Sequence, residues 1–348
     1  MEEVGKLKSR VSFIDISKGI AIICIILGHL SIRSVNKVVF TFHVPIFYFI
    51  TGYFTSQKRE ILEFIKNKAR TLLVPYYITC IVIIIIGTIE GLQQGKGFSN
   101  FKLWLYAALY AAGDTYNEPF YIKGIGAIWF LWASFWGSVF LRISLEFKRP
   151  MRTCFVVSLF LFGYYSRKLF WFPLSIQAGA CATLFMYMGY LLHKSVEILA
   201  RIPEESRGFG LSFAIVTWIF FVKDFKSFWL VHCDVGRGVV DIFGCICACA
   251  VVMVISYFID THTHRIGKVL ECFGKYSLLV LCIHIIELNL FPWQRIVNLL
   301  INGRLASNPD FQQYFKYICI IIGKLCMDLG GTFVLSKSEF VRKLMGYK

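Results

Sequence analysis

Apolar runs of roughly membrane-crossing length recur along the whole chain, and no other feature constrains its fold as tightly. A helix crosses the hydrocarbon layer in about 20 residues, and such runs lie at about 12–31, 38–55, 72–89, 127–146, 153–166, 172–192, 208–222, 239–258, from about 277, and 314–334. A mean hydropathy of +0.64 and a hydrophobic share of 57% exclude an ordinary soluble domain. The expected fold is all-α and integral to the membrane. It has about ten transmembrane helices, both termini inside, and one polytopic domain over 1–348 with tails at 1–11 and 335–348.

The formal charge of +16 comes from Lys and Arg in short loops between the runs, which reads as topogenic charge. No basic stripe with interleaved aromatics stands out, so no nucleic-acid partner is expected. Lys6, Lys8 and Arg10 precede the first run as in a signal peptide. Lys18 interrupts that run and no small-x-small cleavage site follows, so it is read as a retained helix. The 12 cysteines lie mostly inside apolar segments, where they behave as small hydrophobes. Cys245, Cys247 and Cys249 alternate, and the middle one points about 200° away on a helix, so the three cannot share a metal. His262 and His264 have no further ligand nearby. Neither a disulfide framework nor a metal site is expected.

Ionisable groups inside membrane helices are costly and mark functional interiors. The stretch 13–54, two apolar helices joined by a polar turn, holds Asp15, Lys18, His29 and His43. Lys18 and His29 are eleven residues apart, three turns plus about 20°, so they share a face about 16 Å apart along the axis. Asp15 lies on the same stripe. His43, near the start of the second helix, sits at a depth similar to that of His29. Pro45 falls in the first turns of that helix, where it is tolerated.

D-x-x-K-G-I-A-I-x-x-x-I-L-G-H (Asp15 to His29) followed by F-H-V-P-I-F-Y-F-I-T-G-Y (Phe42 to Tyr53) resembles the opening signature of the acyltransferase family 3 membrane proteins. It is most similar to their fucose 4-O-acetylase-like branch. The resemblance implies transfer of an acyl group from a cytoplasmic donor, usually acetyl-CoA, to a hydroxyl of a sugar or glycan at the outer face. Many members carry Arg where this chain has Lys18, a point charge without the bidentate fork. Residues 56–70 read as an amphipathic helix on the cytoplasmic surface, ending in K-A-R-T-L-L-V-P-Y-Y (Lys68 to Tyr77). That segment resembles the family's basic motif for the donor and implicates Lys68 and Arg70 with Asp15 and Lys18.

Later motifs are weaker. I-W-F-L (Ile128 to Leu131) resembles a family motif and makes Trp129 either a sugar-stacking residue or an interfacial anchor. G-K-Y-S-L (Gly274 to Leu278) precedes a helix carrying His284 and Glu287 on one face, either a candidate pair for the acceptor or a packed polar pair between helices. Gln177 stands where many relatives have Asp. Residues 90–126 form the longest non-spanning segment, in which Tyr116, Asn117, Glu118 and Tyr121 are suited to a sugar, the tyrosines equally to an interfacial position. His232, Asp234 and Arg237 read as solvated loop residues. Lys324 and Asp328, at i and i+4, fit an internal ion pair.

Acyl transfer to an alcohol needs a base for its proton, and a histidine suits that task. The expectation is an acyl-CoA-dependent O-acetyltransferase with His29 as base and His43 assisting. Acyl-CoA would act as co-substrate, no cofactor would be bound, and the acceptor would be a glycan or glycolipid. The setting is a bacterial inner membrane, and a homo-oligomer is compatible with it. The alternative is a polytopic sugar or lipid transporter, which predicts inverted repeats or paired broken helices that the sequence does not display.

Overall fold

The computed structural model describes residues 11–301 and 309–347, so the expected N-terminal tail, except its last residue, lies outside them. Among the described residues the chain is helical, with no strand beyond one antiparallel bridge between Tyr116 and Ile122. The first helix, α1 (Ser12–Gly28), matches the expected opening run. The expected helix over 38–55 is instead two short ones, α2 (Arg33–Val39) and α3 (Pro45–Tyr53). Pro45 lacks the N–H that would continue the first, so the chain turns and restarts with Pro45 in the leading turn. Between them the Thr41 hydroxyl donates to Val38 O at 2.6 Å.

The expected surface helix and the following span are one rod. α4 (Ile61–Lys68) passes through a π-turn at Ala69–Leu73 into α5 (Val74–Gln93). The apolar piece of the long segment forms α6 (Gly97–Tyr110), too short to span. It folds back on α5, where Trp104 packs on Gly87 and Asn100 donates to Gly87 O at 3.2 Å. Next come α7 (Trp129–Ser144), α8 (Arg149–Ser166) and α9 (Ile176–Ala200). α9 runs on eight residues past the end of the apolar run at 172–192.

Then follow α10 (Glu204–Lys223), α11 (Val239–His262), α12 (His264–Lys275), α13 (Ser277–Leu290), α14 (Trp293–Ile301), α15 (Pro309–Lys337) and α16 (Glu339–Leu344). The expected C-terminal tail is therefore structured over its described residues. Ser338 caps α16, and Leu279 N–H donates to Tyr347 Oη at 3.2 Å.

Among the described residues, five segments are long and apolar enough to cross a membrane: Ile61–Gln93, Pro173–Ala200, Glu204–Lys223, Val239–His262 and Phe311–Lys337. A sixth is α12 with α13, bent by 74°, if counted as one broken span. Of the remaining helices of the expected ten, α8 has 18 residues but is not apolar enough, and α1, α7 and α3 have 17, 16 and 9. These last three pack inside the bundle. α1 lies on α12 and α11, and α3 and α7 lie on α9. Two crossings bring backbones together and admit only glycine. A Cβ on Gly274 would fall 1.7 Å from Asp15 O, and one on Gly52 would fall 1.7 Å from Met186 O. Through these crossings α1 and α3 are fixed tightly enough to frame cavities.

Candidate active site

The charged face of α1 lines two chambers. One, of about 340 Å³, is bordered by Ile25, His29, Asn36, His43, Asp114, Trp129, Phe130 and Trp229. The other, of about 160 Å³, is bordered by Lys18, Ile22, Ile25, Thr51, Lys68, Phe130 and Ser134. We call them the histidine and lysine chambers. Lys18, Ile22, Ile25 and His29 follow the 3.6-residue period, so one helical stripe runs from one chamber into the other. Ile25 and Phe130 belong to both linings and form the boundary between them. The Phe130 ring is held there by stacking on Tyr48, with centroids 5.0 Å apart.

Both chamber histidines have fixed tautomers. His29 caps the C-terminus of α1, and its Nδ1 meets Ile25 O at 2.9 Å. A carbonyl only accepts, so Nδ1 carries the hydrogen and Nε2 keeps its lone pair. His43 is held in the same way, Nδ1 meeting Val39 O at 2.7 Å. The break between α2 and α3 is what turns His43 toward the chamber rather than along a continuous helix.

Behind His29 lies a group that the sequence divides into two separate pairs. His284 Nε2 is 3.3 Å from His29 Nδ1. Since His29 Nδ1 bears the hydrogen, His284 Nε2 is the accepting atom and its own proton sits on Nδ1. That Nδ1 is 3.2 Å from Glu287 Oε2 and 3.2 Å from Asp328 Oδ2, near enough for electrostatic pairing but aligned for a hydrogen bond with neither. Lys324 Nζ donates to Glu287 Oε1 at 2.7 Å, and Trp293 Nε1 donates to the same oxygen.

Lys324 and Asp328 are thus not partners along their own helix, as the i, i+4 spacing suggested. Each reaches across to α13, where the opposite charges lie. His284, Glu287 and Asp328 also present one possible ligand atom each within 4.8 Å of one another, a donor set that the expectation of no metal residues did not foresee. Lys324 already sets a positive charge beside the carboxylates. The group is a buried charge cluster in which each member depends on the others.

The other expected site residues fall as follows. Asp15 is buried and pairs with Lys18 at 3.4 Å. Lys68 lines the lysine chamber, whereas Arg70, on the π-turn, is exposed and lies outside its lining. Trp129 is buried in the histidine chamber wall, so it is no interfacial anchor. His284 and Glu287 stand behind His29 and line neither chamber.

Tyr116 is stacked on Trp171 with centroids 4.4 Å apart, while Asn117, Glu118 and Tyr121 are exposed. The expected solvated loop residues have partners: His232 hydrogen-bonds with Asp114 at 2.9 Å, Asp234 pairs with Arg167 at 3.2 Å and Arg237 pairs with Asp241 at 2.7 Å. Gln177 is buried, donating to Ser166 Oγ and accepting from Phe172 N–H, a packing role. Sequence reasoning missed Asn36 and Asp114, which no motif singles out. Asp328 was visible as an intramembrane acid but was assigned the wrong partner.

Residues 11–329 match the Acyltransferase domain that defines acyltransferase family 3. The chain belongs to acyltransferase family 3. No curated protein and no solved structure matches it. The acyltransferase match takes in both chambers and reaches Asp328, so the charge cluster is part of the family domain, whereas α16 lies beyond it. The protein is a membrane acyltransferase.

Proposed function

We propose that this acyltransferase moves an acyl group, acetyl in the first instance, from a cytoplasmic acyl-CoA to a hydroxyl of an exported or surface glycan or glycolipid. This is the activity of the fucose 4-O-acetylase-like branch that its opening motif resembles. One observation carries the reading: a single face of α1 places a cation in one chamber and a histidine in the other, with only Ile25 and Phe130 between them. The acyl group then needs to pass only that boundary, while donor and acceptor stay on their own sides. The orientation that follows has both termini inside a bacterial-type plasma membrane. Shorter helices such as α1 and α7 then cross within the bundle, toward the expected ten.

The chemistry follows from the tautomers. His29 Nε2, the atom with the free lone pair, takes the proton of the acceptor hydroxyl as its oxygen attacks the thioester carbonyl. The tetrahedral intermediate then collapses, the carbon–sulfur bond breaks, and the thiolate takes the proton back from Nε2. His284 and the carboxylates behind it steady the imidazolium between the two transfers, much as a carboxylate does in other histidine-based acyl transfer. His43 lines the acceptor side and orients the alcohol. Lys18 and Lys68 draw the anionic donor toward the lysine chamber, with Asp15 fixing Lys18.

The test is label transfer from acetyl-CoA to extracted surface glycans by the purified protein in lipid. His29→Ala is expected to lower the rate by about 10²–10⁴-fold while the protein stays folded. Retention of the rate refutes the base assignment. Movement of the glycan across the bilayer without label transfer favours the transporter reading.

A further inference from the structure

Most buried hydroxyls inside the helices of this protein bond their own backbone. Ser17, Thr79, Ser138, Thr183 and Ser256 each donate to the carbonyl four residues back, at 2.7–3.0 Å. Ser134 and Thr332 do not, and of these two Ser134 borders a chamber. Its side chain is buried, 4% exposed, and its hydroxyl has no partner, although Phe130 O stands one turn away on the same helix. A desolvated hydroxyl without a partner is unfavourable and calls for an explanation. Ser134 also lines the lysine chamber. Its oxygen has almost no accessible surface, so an acceptor in the chamber meets it once the side chain turns about χ1, the one torsion that aims a serine hydroxyl.

Its position narrows the choice. Phe130, Ser134 and Ser138 lie at i, i+4 and i+8 along α7, and all three border the lysine chamber. Ser134 is one turn, about 6 Å, from Phe130 at the chamber boundary. If the thioester carbonyl is at that boundary, the rest of the donor extends back past Ser134. In a CoA thioester, sulfur and two methylenes separate the carbonyl carbon from an amide nitrogen, about 5 Å in an extended chain. The carbonyl of that first amide then falls at the depth of Ser134. The lining around it is mostly apolar, so one hydroxyl is enough to set the depth at which the chain stops.

We infer that the Ser134 hydroxyl donates to the first amide carbonyl of the donor's pantetheine arm and fixes the depth at which the thioester meets His29. The inference rests on the acyl-CoA reading proposed above.

Two truncated donors separate the ideas. S-acetyl-N-acetylcysteamine keeps the amide, whereas S-pentyl thioacetate has the same chain length without it. The wild-type protein in lipid is expected to prefer the cysteamine donor by about tenfold in kcat/KM, the worth of one neutral hydrogen bond. Ser134→Ala is expected to erase that preference and to lower kcat/KM for acetyl-CoA at least tenfold, with kcat falling as the thioester loses its register against His29. Ser134→Thr, which keeps the hydroxyl, retains the preference.

A wild type that transfers acetyl yet does not distinguish the two donors overturns the inference, whether or not the alanine variant folds. So does an alanine variant that keeps the preference. A wild type that accepts neither short donor nor acetyl-CoA overturns the acyl-transfer reading itself.

Discussion

Gly274→Ala pits local propensity against packing. Alanine in place of glycine stabilises a helix interior by about 1 kcal/mol, so α12 taken alone would gain from the change. At this site the new Cβ would stand 1.7 Å from Asp15 O and 2.9 Å from Gly19 N, both backbone atoms of α1. Ordinary contact begins at 3.4 Å, so α1 has to retreat from α12 by about 1.7 Å, and no rotamer change can absorb that. Forced backbone shifts of this kind cost about 1–3 kcal/mol, which exceeds the propensity gain.

The same shift carries Lys18 and His29 with it, since both ride on α1. A misplacement of about 1 Å at a reacting group costs on the order of 10²-fold in rate. The expected result is therefore a lower apparent melting temperature in detergent and a roughly hundredfold slower acetyl transfer per folded molecule. Gly330→Ala is the control: its Cβ would meet nothing within 4 Å, so helix propensity acts alone. A Gly274→Ala protein with wild-type melting and wild-type rate would refute the claim that the α1–α12 contact positions the site.

Two further outcomes follow. Asp328→Asn removes one carboxylate from the His284 cluster without changing its volume, and is expected to lower kcat about 10²-fold with KM for the donor unchanged; a wild-type kcat would show that the cluster does not act through His29. At the chamber mouth, the hydrogen bond to His232 holds the Asp114 carboxyl below the usual carboxylate range. A depressed folded pKa contributes stability above the unfolded value of about 3.9, lost as pH falls through the folded value. The contact is therefore intact at about pH 5 and released only in stronger acid, read as a change in tryptophan emission, since Trp229 stacks on His232. Asp114→Asn should lack that acid component, and an unchanged acid transition would refute the assignment.

What was legible in the sequence was angular order within one helix. Asp15, Lys18 and His29 are placed on a common face by the 3.6-residue period, and Lys18, Ile22, Ile25 and His29 do line the chambers in that order. The period says nothing about which helix lies opposite. The partner of His29 comes from 255 positions along the chain, and only the packing of α13 against α1 reveals it. The same limit explains Lys324 and Asp328. Spacing makes them neighbours, but a buried charge settles where most opposite charge surrounds it, and that place is Glu287 and His284 on α13.

Apolar runs do not by themselves tell which helices face lipid, for a related reason. Hydropathy measures avoidance of water, and a short helix sheathed by other helices avoids water as well as one facing lipid. α3 and α7 are as apolar as spans, yet they pack against α9 inside the bundle. In a chain that is 57% hydrophobic, an apolar residue at a given position carries little information, and the exceptions carry most of it. Pro45, Gly274, His29 and Asp328 each violate the surrounding pattern, and each marks a break, a close crossing or a charged wall. Ser134 escapes even this rule, because serine is unremarkable in a membrane helix. Its distinction is a missing bond, and that is visible only once its neighbours are in place.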